Sequence, residues 1–187
     1  RSHYGALIAR GLDWSDEAVE AILRASLMHD VGKWGSPDSI LQKPGRLTAE
    51  ERKIMEYHTA IGGSILKGSK APVLLKSRIV AVTHHEKYDG TGYPRGLKGE
   101  KIPLDGRITL MADVFDALSS KRVYKEAMTE PEVLRILGEG RGAHFDPEVL
   151  DVFLGRLEEV REIKKRYSDR EEDFDKFQNL DDLEVEE

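Results

Sequence analysis

The chain has 187 residues, a formal net charge of −6 and no cysteine. Its length can bury one hydrophobic core, and its composition excludes disulfide scaffolds, thiolate zinc sites and thiol catalysis. No apolar run approaches the roughly 18 residues that cross a bilayer, and the first residues do not form a signal peptide. We therefore expect one domain in a reducing, cytoplasmic compartment, without membrane contact by this chain.

The hydrophobic spacing is helical throughout, and no alternating strand pattern reaches comparable length. The predicted helices span about residues 4–12, 16–30, 49–67, 72–86, 107–120 and 147–167, with a further helix that starts near residue 130. Ser15 can cap the second helix, and Thr48 with Glu51 and Thr129 with Glu132 form two capping boxes. We expect an all-α bundle of about six or seven helices.

Two stretches fall outside the helical pattern. Residues 87–106 contain seven glycines or prolines and predict a long loop, which in a compact domain is uncommon and often functional. Residues 168–187 contain ten acidic and two basic side chains, which predicts a solvated, flexible tail, with an acidic docking segment as the alternative. The domain proper would be residues 1–167, and its nearly neutral charge gives no indication of binding to duplex nucleic acid.

Three of the six histidines fall on the apolar faces of three predicted helices. The faces combine His29 with Ile22 and Ala25, His58 with Ile54, Ile61 and Ile65, and His85 with Leu75, Ile79 and Val82. A buried imidazole requires a polar partner, and any one of these alone would be interpreted as a hydrogen-bonded core histidine. Their convergence, with His84 and carboxylates nearby, instead indicates a divalent metal centre.

The residues around His29 add the elements of phosphate chemistry. Asp30 offers two carboxylate oxygens that can bridge two cations. Two metals about 3.5–4 Å apart suit hydrolysis of a phosphate ester, because they activate water and neutralise developing charge. Lys33 follows one turn later, where its ammonium could meet a phosphate oxygen or the leaving group. A solvated lysine is the alternative for that position.

With these residues in place, the chain resembles the HD-GYP family, a branch of the HD-domain metal-dependent phosphohydrolases, over about residues 8–160. The motifs that carry the resemblance are His29-Asp30-Val31-Gly32-Lys33, Tyr57-His58-Thr59-Ala60-Ile61-Gly62, His84-His85-Glu86, Asp89-Gly90-Thr91-Gly92-Tyr93-Pro94, Gly96-Leu97-Lys98-Gly99, Ile102-Pro103-Leu104, Arg107-Ile108, Ala112-Asp113-Val114-Phe115-Asp116-Ala117-Leu118 and Phe145-Asp146-Pro147. A His-Asp pair alone is weak, whereas this ordered set is specific. The resemblance implies an HD-type helical bundle with a central metal cluster and the Gly/Pro-rich loop beside its mouth.

The resemblance also implies roles for individual residues. The implied ligands are Asp30 as the bridge, His58, His84 and His85 for one metal, and His29 and Asp113 for its neighbour. Lys33 would assist catalysis together with Asp30 and contact the substrate, as would Tyr93, while Arg122 and Lys125 match positions that hold substrate phosphates. Without the resemblance, Asp113 and Asp116 could be ordinary helix acids, and Arg122 and Lys125 an ordinary charge pair.

The sequence departs from the family pattern in one respect. The family has a further ligand histidine upstream of the His-Asp pair, and its position falls just before residue 1. His3 stands about six residues later, or about 240° around a helix, so we expect it on another face. His144 is expected to be a surface or capping residue. Because the chain starts inside a predicted helix, we expect a fragment that follows a sensor or receiver domain.

The resemblance implies a phosphodiesterase that hydrolyses cyclic di-GMP to pGpG, and in some members onward to GMP, in bacterial signalling. Its cofactors would be two divalent metal ions, iron or manganese, with a third metal left open. A diguanylate cyclase (GGDEF) domain is an implied partner, and a homodimer also stays open. The alternatives are a broader HD-type nucleotide phosphohydrolase and a cyclic-dinucleotide receptor or docking module with little catalysis.

Overall fold

The computed structural model describes residues 1–120 and 127–168. These residues form ten α-helices and three short 3₁₀ turns, and they contain no β-strand. The helices are α1 (Ser2–Gly11), α2 (Asp16–Ala25), α3 (Asp38–Leu41), α4 (Ala49–Glu56), α5 (His58–Ile65), α6 (Pro72–Thr83), α7 (Leu104–Ser119), α8 (Glu130–Glu139), α9 (Pro147–Leu154) and α10 (Leu157–Ser168). The 3₁₀ turns are Ser26–Met28, Val31–Gly35 and Gly99–Lys101. The predicted all-α fold is confirmed, and none of the helices described is long and apolar enough to cross a membrane.

Helix α1 lies at the centre of the core. All residues from Tyr4 to Ala9 are buried, because the helix contacts α2, α7, α9 and α10. A helix that is covered on every side is apolar around its circumference rather than along one stripe. Ile8 is fully buried and belongs to one cluster with Ile22, Met111 and Phe153. This cluster fixes α2 and α7, the two helices that lead to His29 and Asp113.

The predicted helix at residues 49–67 is two helices that meet at Tyr57. The capping box is present, with the amide of Glu51 donating to the Thr48 hydroxyl at 3.2 Å. The break at Tyr57 shifts the angular positions of the side chains in α5 relative to those in α4. As a result His58 is buried, while Ile54 and Ile65 are 40% and 52% exposed. The predicted shared face of these residues was therefore wrong, although the burial of His58 was right.

The apolar face predicted for α6 was also wrong. Leu75 and Ile79 are 46% and 39% exposed, and the buried side carries the small residues Ser77 and Ala81. The reason is close packing against α5, since a Cβ added at Gly62 would lie 3.3 Å from the Cβ of Ala81. Close approach through small residues decides which face is covered. As a result His84 is fully buried, and His85 is half-buried.

The second predicted helix is shorter than residues 16–30, because the α-helix ends at Ala25 and continues as the turn Ser26–Met28. The predicted helix at residues 147–167 is interrupted between Leu154 and Leu157, which separates α9 from α10. The long loop between α6 and α7 is present as predicted. We call residues 87–103 the Gly-Tyr-Pro loop.

Candidate metal centre and substrate site

Three buried histidines are held by main-chain carbonyls at the ends of helices. The Nδ1–carbonyl distances are 2.7 Å from His29 to Ser26, 2.6 Å from His58 to Met55, and 3.1 Å from His84 to both Val80 and Ala81. A carbonyl oxygen only accepts, so the ring proton belongs on Nδ1 in each case. The unprotonated Nε2 atoms therefore face the centre of the site, which is the arrangement that second-shell partners impose on metal-binding histidines.

Asp30 lies where these Nε2 atoms converge. Its Oδ1 is 3.6 Å from His58 Nε2 and 3.7 Å from His84 Nε2, and the two nitrogens are 3.3 Å apart. Within the described part of the chain, Asp30 Oδ1 is buried and has no hydrogen-bond partner. Three electron-pair donors thus face one another without a proton between them. A divalent cation would satisfy all three, so the donor set fits a metal ion.

A fourth candidate ligand joins this group. One ligand atom from each of Asp30, His58, His84 and His85 lies within 4.8 Å of the others. Burial, followed by the neighbouring His84 and His58, lowers the pKa of His85 to about 2, and burial likewise lowers the pKa of His58. Both imidazoles are therefore neutral and able to ligate at physiological pH. Burial acts to raise the pKa of Asp30, but the ammonium of Lys33, 2.7 Å from Oδ2, favours the ionised carboxylate and lowers that pKa.

The second predicted half-site gathers around the other oxygen of Asp30. His29 Nε2 is 3.2 Å from Asp30 Oδ2 and 3.8 Å from Asp113 Oδ1. The guanidinium of Arg1 lies among them, with Nη1 3.1 Å from His29 Nε2 and 3.3 Å from Asp113 Oδ1. Its Nε donates to Asp116 Oδ2 at 2.8 Å. The sequence contained no signal for this contact, because Arg1 stands far from all three partners along the chain.

Lys33 is held beside Asp30 by the turn Val31–Gly35. Its Nζ lies 2.7 Å from Asp30 Oδ2, and its side chain remains 37% exposed. The turn packs directly on α5, and a Cβ at Gly32 would lie 1.8 Å from the carbonyl oxygen of His58. Only glycine allows this approach, which explains the glycine between the His-Asp pair and Lys33. The turn thereby joins the ammonium of Lys33, the carboxylate of Asp30 and His58 in one rigid unit.

The Gly-Tyr-Pro loop folds back over the metal ligands. The ring of Tyr93 stacks on His85 at 4.7 Å between centroids, and the amide of Tyr93 donates to the carbonyl of His85 at 3.1 Å. Burial, with Glu56 and Asp30 nearby, raises the pKa of Tyr93, so its phenol keeps its proton. The hydroxyl is thus available as a donor at the mouth of the site.

Glu86 is the functional residue that sequence reasoning missed. Its side chain is fully buried, and its two oxygens accept from the amides of Arg95 and Leu97, each at 2.8 Å. The residue therefore fastens the Gly-Tyr-Pro loop to the end of α6. The signal in the sequence is its place directly after His84-His85, where a carboxylate stands at the start of the Gly/Pro-rich loop.

The remaining predicted residues lie away from this cluster or outside the described chain. Arg122 and Lys125 lie outside the described residues, as does nearly all of the predicted acidic tail. His3 stacks on Tyr167 at 4.2 Å, and His144 stacks on Phe145 at 4.5 Å. The ligand and substrate roles of the residues that do meet remain predictions.

A family model described as HD domain matches residues 2–149, so the chain belongs to the HD domain family. It is 45% identical over 167 residues to the cyclic di-GMP phosphodiesterase response regulator RpfG of Xanthomonas campestris pv. campestris, covering 89% of this chain and 44% of that protein. It is 43% identical over 155 residues to the 3'3'-cGAMP-specific phosphodiesterase 2 of Vibrio cholerae serotype O1, covering 83% of this chain and 30% of that protein.

A solved structure shows the same fold. The crystal structure of a cyclic GMP-AMP specific phosphodiesterase of V. cholerae matches 87% of this chain and 44% of that chain, with a TM-score of 0.63 at 21% identity. The chain spans less than half the length of these relatives. The matches confirm the resemblance predicted from the motifs.

Proposed function

We propose that this chain is a metal-dependent phosphodiesterase that hydrolyses a cyclic dinucleotide, with cyclic di-GMP as its substrate. The observation that carries the proposal is the set of unprotonated donors formed by Asp30, His58 and His84, with Lys33 and Tyr93 at its edge. Relatives named as cyclic di-GMP phosphodiesterases support the substrate. Linear pGpG is the expected first product.

The metals would be held by two groups of ligands that share Asp30. We assign His58, His84 and His85 to one ion and His29 with Asp113 to the other. Bound divalent ions supply the Lewis acidity that activates water and neutralises charge on the phosphate. Iron or manganese is proposed, and the ligand set also accepts zinc, nickel or cobalt, since imidazole and carboxylate suit all of them.

The protein side chains would orient the phosphate and handle the proton. The ammonium of Lys33 is exposed enough to contact a phosphate oxygen and to donate a proton to the leaving 3′ oxygen. The phenol of Tyr93, whose pKa is raised by burial, would donate a hydrogen bond to the substrate. Asp30, whose pKa lies far below its usual range, would stay ionised and hold Lys33 at 2.7 Å.

Anaerobic incubation with cyclic di-GMP and Fe(II) or Mn(II), followed by chromatography of the products, tests this function. We expect pGpG or GMP from the wild type and a loss of product of at least a hundredfold in Asp30→Asn, as for other essential catalytic groups. Asp151→Asn is the matched control, because that carboxylate lies in an exposed ion pair with Arg141. Binding without turnover would favour a receptor, and turnover of mononucleotides would favour a broader phosphohydrolase.

A second substrate, 3'3'-cGAMP, has specific support. Relatives named as 3'3'-cGAMP-specific phosphodiesterases match this chain at up to 44% identity, close to the 45% of relatives named for cyclic di-GMP. Parallel assays with equal concentrations of the two nucleotides would rank them by kcat/KM.

A further inference from the structure

Trp34 is exposed beside the site without any packing role. Its side chain is 91% exposed, the highest value among the large apolar residues that the structure describes. The other tryptophan, Trp14, is half-buried against the core and lies under Lys76 Nζ, 4.9 Å from the ring centre. Tryptophan usually buries much of its indole because of its large apolar area. The exposure of Trp34 therefore suggests that its ring is covered by a ligand.

The backbone that carries Trp34 is rigid. Trp34 follows Lys33 in the turn Val31–Gly35, which Gly32 presses against the His58 carbonyl. On the other side, a Cβ at Gly35 would lie 3.0 Å from Ile61, and the amide of Ser36 donates to the Lys33 carbonyl at 2.9 Å. Both neighbours of Trp34 are thus fixed. An aromatic side chain on a fixed backbone loses little entropy when a ligand stacks on it.

A cavity joins the indole to the metal centre. It measures about 300 Å³, which is at the lower end of small-molecule sites and suits one part of a dinucleotide. Its lining consists of Asp30, Lys33, Trp34, Ser36, Asp38 and Leu41. The bridging carboxylate and the exposed indole therefore face one space, so that a phosphate at Lys33 would place an attached nucleoside near Trp34.

An unpartnered hydroxyl lies in the wall of the same cavity. Ser36 is 9% exposed, and within residues 1–120 and 127–168 its Oγ has no hydrogen-bond partner. This oxygen is enclosed by protein atoms, so the polar group that faces the cavity at this wall is the exposed carboxylate of Asp38. Asp38, two residues further along the chain, contributes a carboxylate that only accepts hydrogen bonds when ionised.

We propose that this cavity is a guanine-binding subsite, with the base stacked on Trp34 and its edge bound by Asp38. Guanine presents two neighbouring donors, N1–H and the N2 amino group, which match the two oxygens of one carboxylate. Adenine presents an acceptor at N1, which would oppose the carboxylate. The inference rests on the proposed function for the identity of the substrate, and it adds the residues that select its base.

Fluorescence titration with mononucleotides tests the subsite without turnover. The chain contains two tryptophans, so the difference between wild type and Trp34→Phe reports on Trp34 while Trp14 emits in both. In Mn(II)-loaded protein, GMP should quench the wild-type emission and AMP should not, whereas Trp34→Phe should show little quenching by either. Asp38→Asn should lose the preference for GMP. Equal quenching by GMP and AMP would overturn the selection of guanine, and no quenching would overturn the subsite.

Kinetics with cyclic di-GMP provide the second readout. Stacking of one base on an aromatic ring contributes about 1–3 kcal/mol, so Trp34→Ala should raise KM roughly 5- to 160-fold with kcat within twofold of wild type. Trp34→Phe should recover most of the loss. Leu27→Ala is the matched control, because Leu27 is also highly exposed, at 71%, but does not line the cavity.

The outcomes separate the two proposals. If no cyclic dinucleotide is hydrolysed but GMP still quenches Trp34, the proposed function fails and the subsite stands. If hydrolysis is normal while Trp34→Ala retains the wild-type KM, the function stands and the subsite fails.

Discussion

His58 Nε2 lies 3.3 Å from His84 Nε2, and both nitrogens face the same buried oxygen of Asp30. Each ring has its proton on Nδ1, where it donates to a main-chain carbonyl. The facing electron pairs repel one another until a cation or a proton lies between them. This repulsion between donor atoms lowers the stability of the domain, and a bound metal ion would remove it.

Metal binding should therefore stabilise the fold. At a free Mn(II) concentration 100-fold above Kd, the free energy of unfolding should rise by about 2.7 kcal/mol, seen as a higher thermal midpoint. His84→Ala should abolish this rise and lower the bound metal measured by elemental analysis. His144→Ala, which removes a histidine stacked on Phe145, should keep both. Equal metal contents in the two variants would contradict the assignment of His84.

Arg1 should compete with the second metal. Its guanidinium lies 3.3 Å from Asp113 Oδ1 and 3.8 Å from Asp30 Oδ2, where a cation held by these carboxylates would repel it. We expect Arg1→Gln to tighten the weaker metal site about tenfold, a coupling typical of neighbouring ligands. Isothermal titration with Mn(II) measures this, and Arg24→Gln, an arginine paired with Glu20 on the surface, should bind like wild type. Weaker binding in Arg1→Gln would mean that Arg1 positions the carboxylates instead.

Gly32→Ala should disrupt the candidate metal centre by displacing the turn Val31–Gly35 from α5. The new methyl group would lie 1.8 Å from the His58 carbonyl, and a main-chain atom of a packed helix cannot move aside cheaply. We expect a loss of about 1–3 kcal/mol or more in the free energy of unfolding, with weaker metal binding. The control is Gly138→Ala in α8, where nothing lies within 4 Å of the added Cβ. That change should stabilise by up to about 1 kcal/mol because alanine favours helix.

Glu86→Gln should loosen the Gly-Tyr-Pro loop. One carboxyl oxygen becomes an amino group that faces an amide donor of Arg95 or Leu97, so one buried hydrogen bond is lost at a cost of about 1–3 kcal/mol. Hydrogen exchange at those two amides should accelerate, and KM for the cyclic dinucleotide should rise. Glu100→Gln changes an exposed carboxylate near the end of the same loop and should leave exchange unchanged. Wild-type protection in Glu86→Gln would show that the loop is held by other contacts.

Asp146 should contribute more stability than an exposed acid. It pairs with Arg107 and accepts from the amide of Glu148 at 2.8 Å, and its side chain is 4% exposed. Removing one partner of a buried ion pair costs about 3–5 kcal/mol, so Asp146→Asn should lower the urea midpoint clearly. Arg141→Ala breaks an ion pair whose side chains are 51% and 55% exposed, and should cost under about 1 kcal/mol. Similar losses in both variants would contradict this difference.

The sequence predicted the helical class and the histidine cluster because local rules decide both. Thr48 and Glu51 cap α4 as their spacing indicates. The Gly/Pro-rich stretch is a loop, and Asp30, His58, His84 and His85 meet as their motifs imply. These features depend on residues that are close in sequence or on patterns that carry their own chemistry.

Packing decided what the sequence could not show. The apolar stripe of Leu75 and Ile79 faces outward because glycines on α5 draw the small residues of α6 inward. Periodicity weighs hydrophobic side chains and does not detect close approach of backbones. The contact of Arg1 with His29, and the two amides bound by Glu86, join residues through tertiary structure alone.

His85 and Glu86 are consecutive residues that serve different parts of the site. The first belongs to the candidate ligand group of one metal, and the second binds the amides of the loop that carries Tyr93. A single peptide unit joins the two residues. Under the proposed function, cation and cyclic dinucleotide would therefore be cooperative ligands, each raising the affinity for the other by the same factor. The activity of the domain would then depend on the concentrations of both the metal ion and the cyclic dinucleotide. Scarcity of iron or manganese would lower the hydrolysis rate even when the second messenger is abundant.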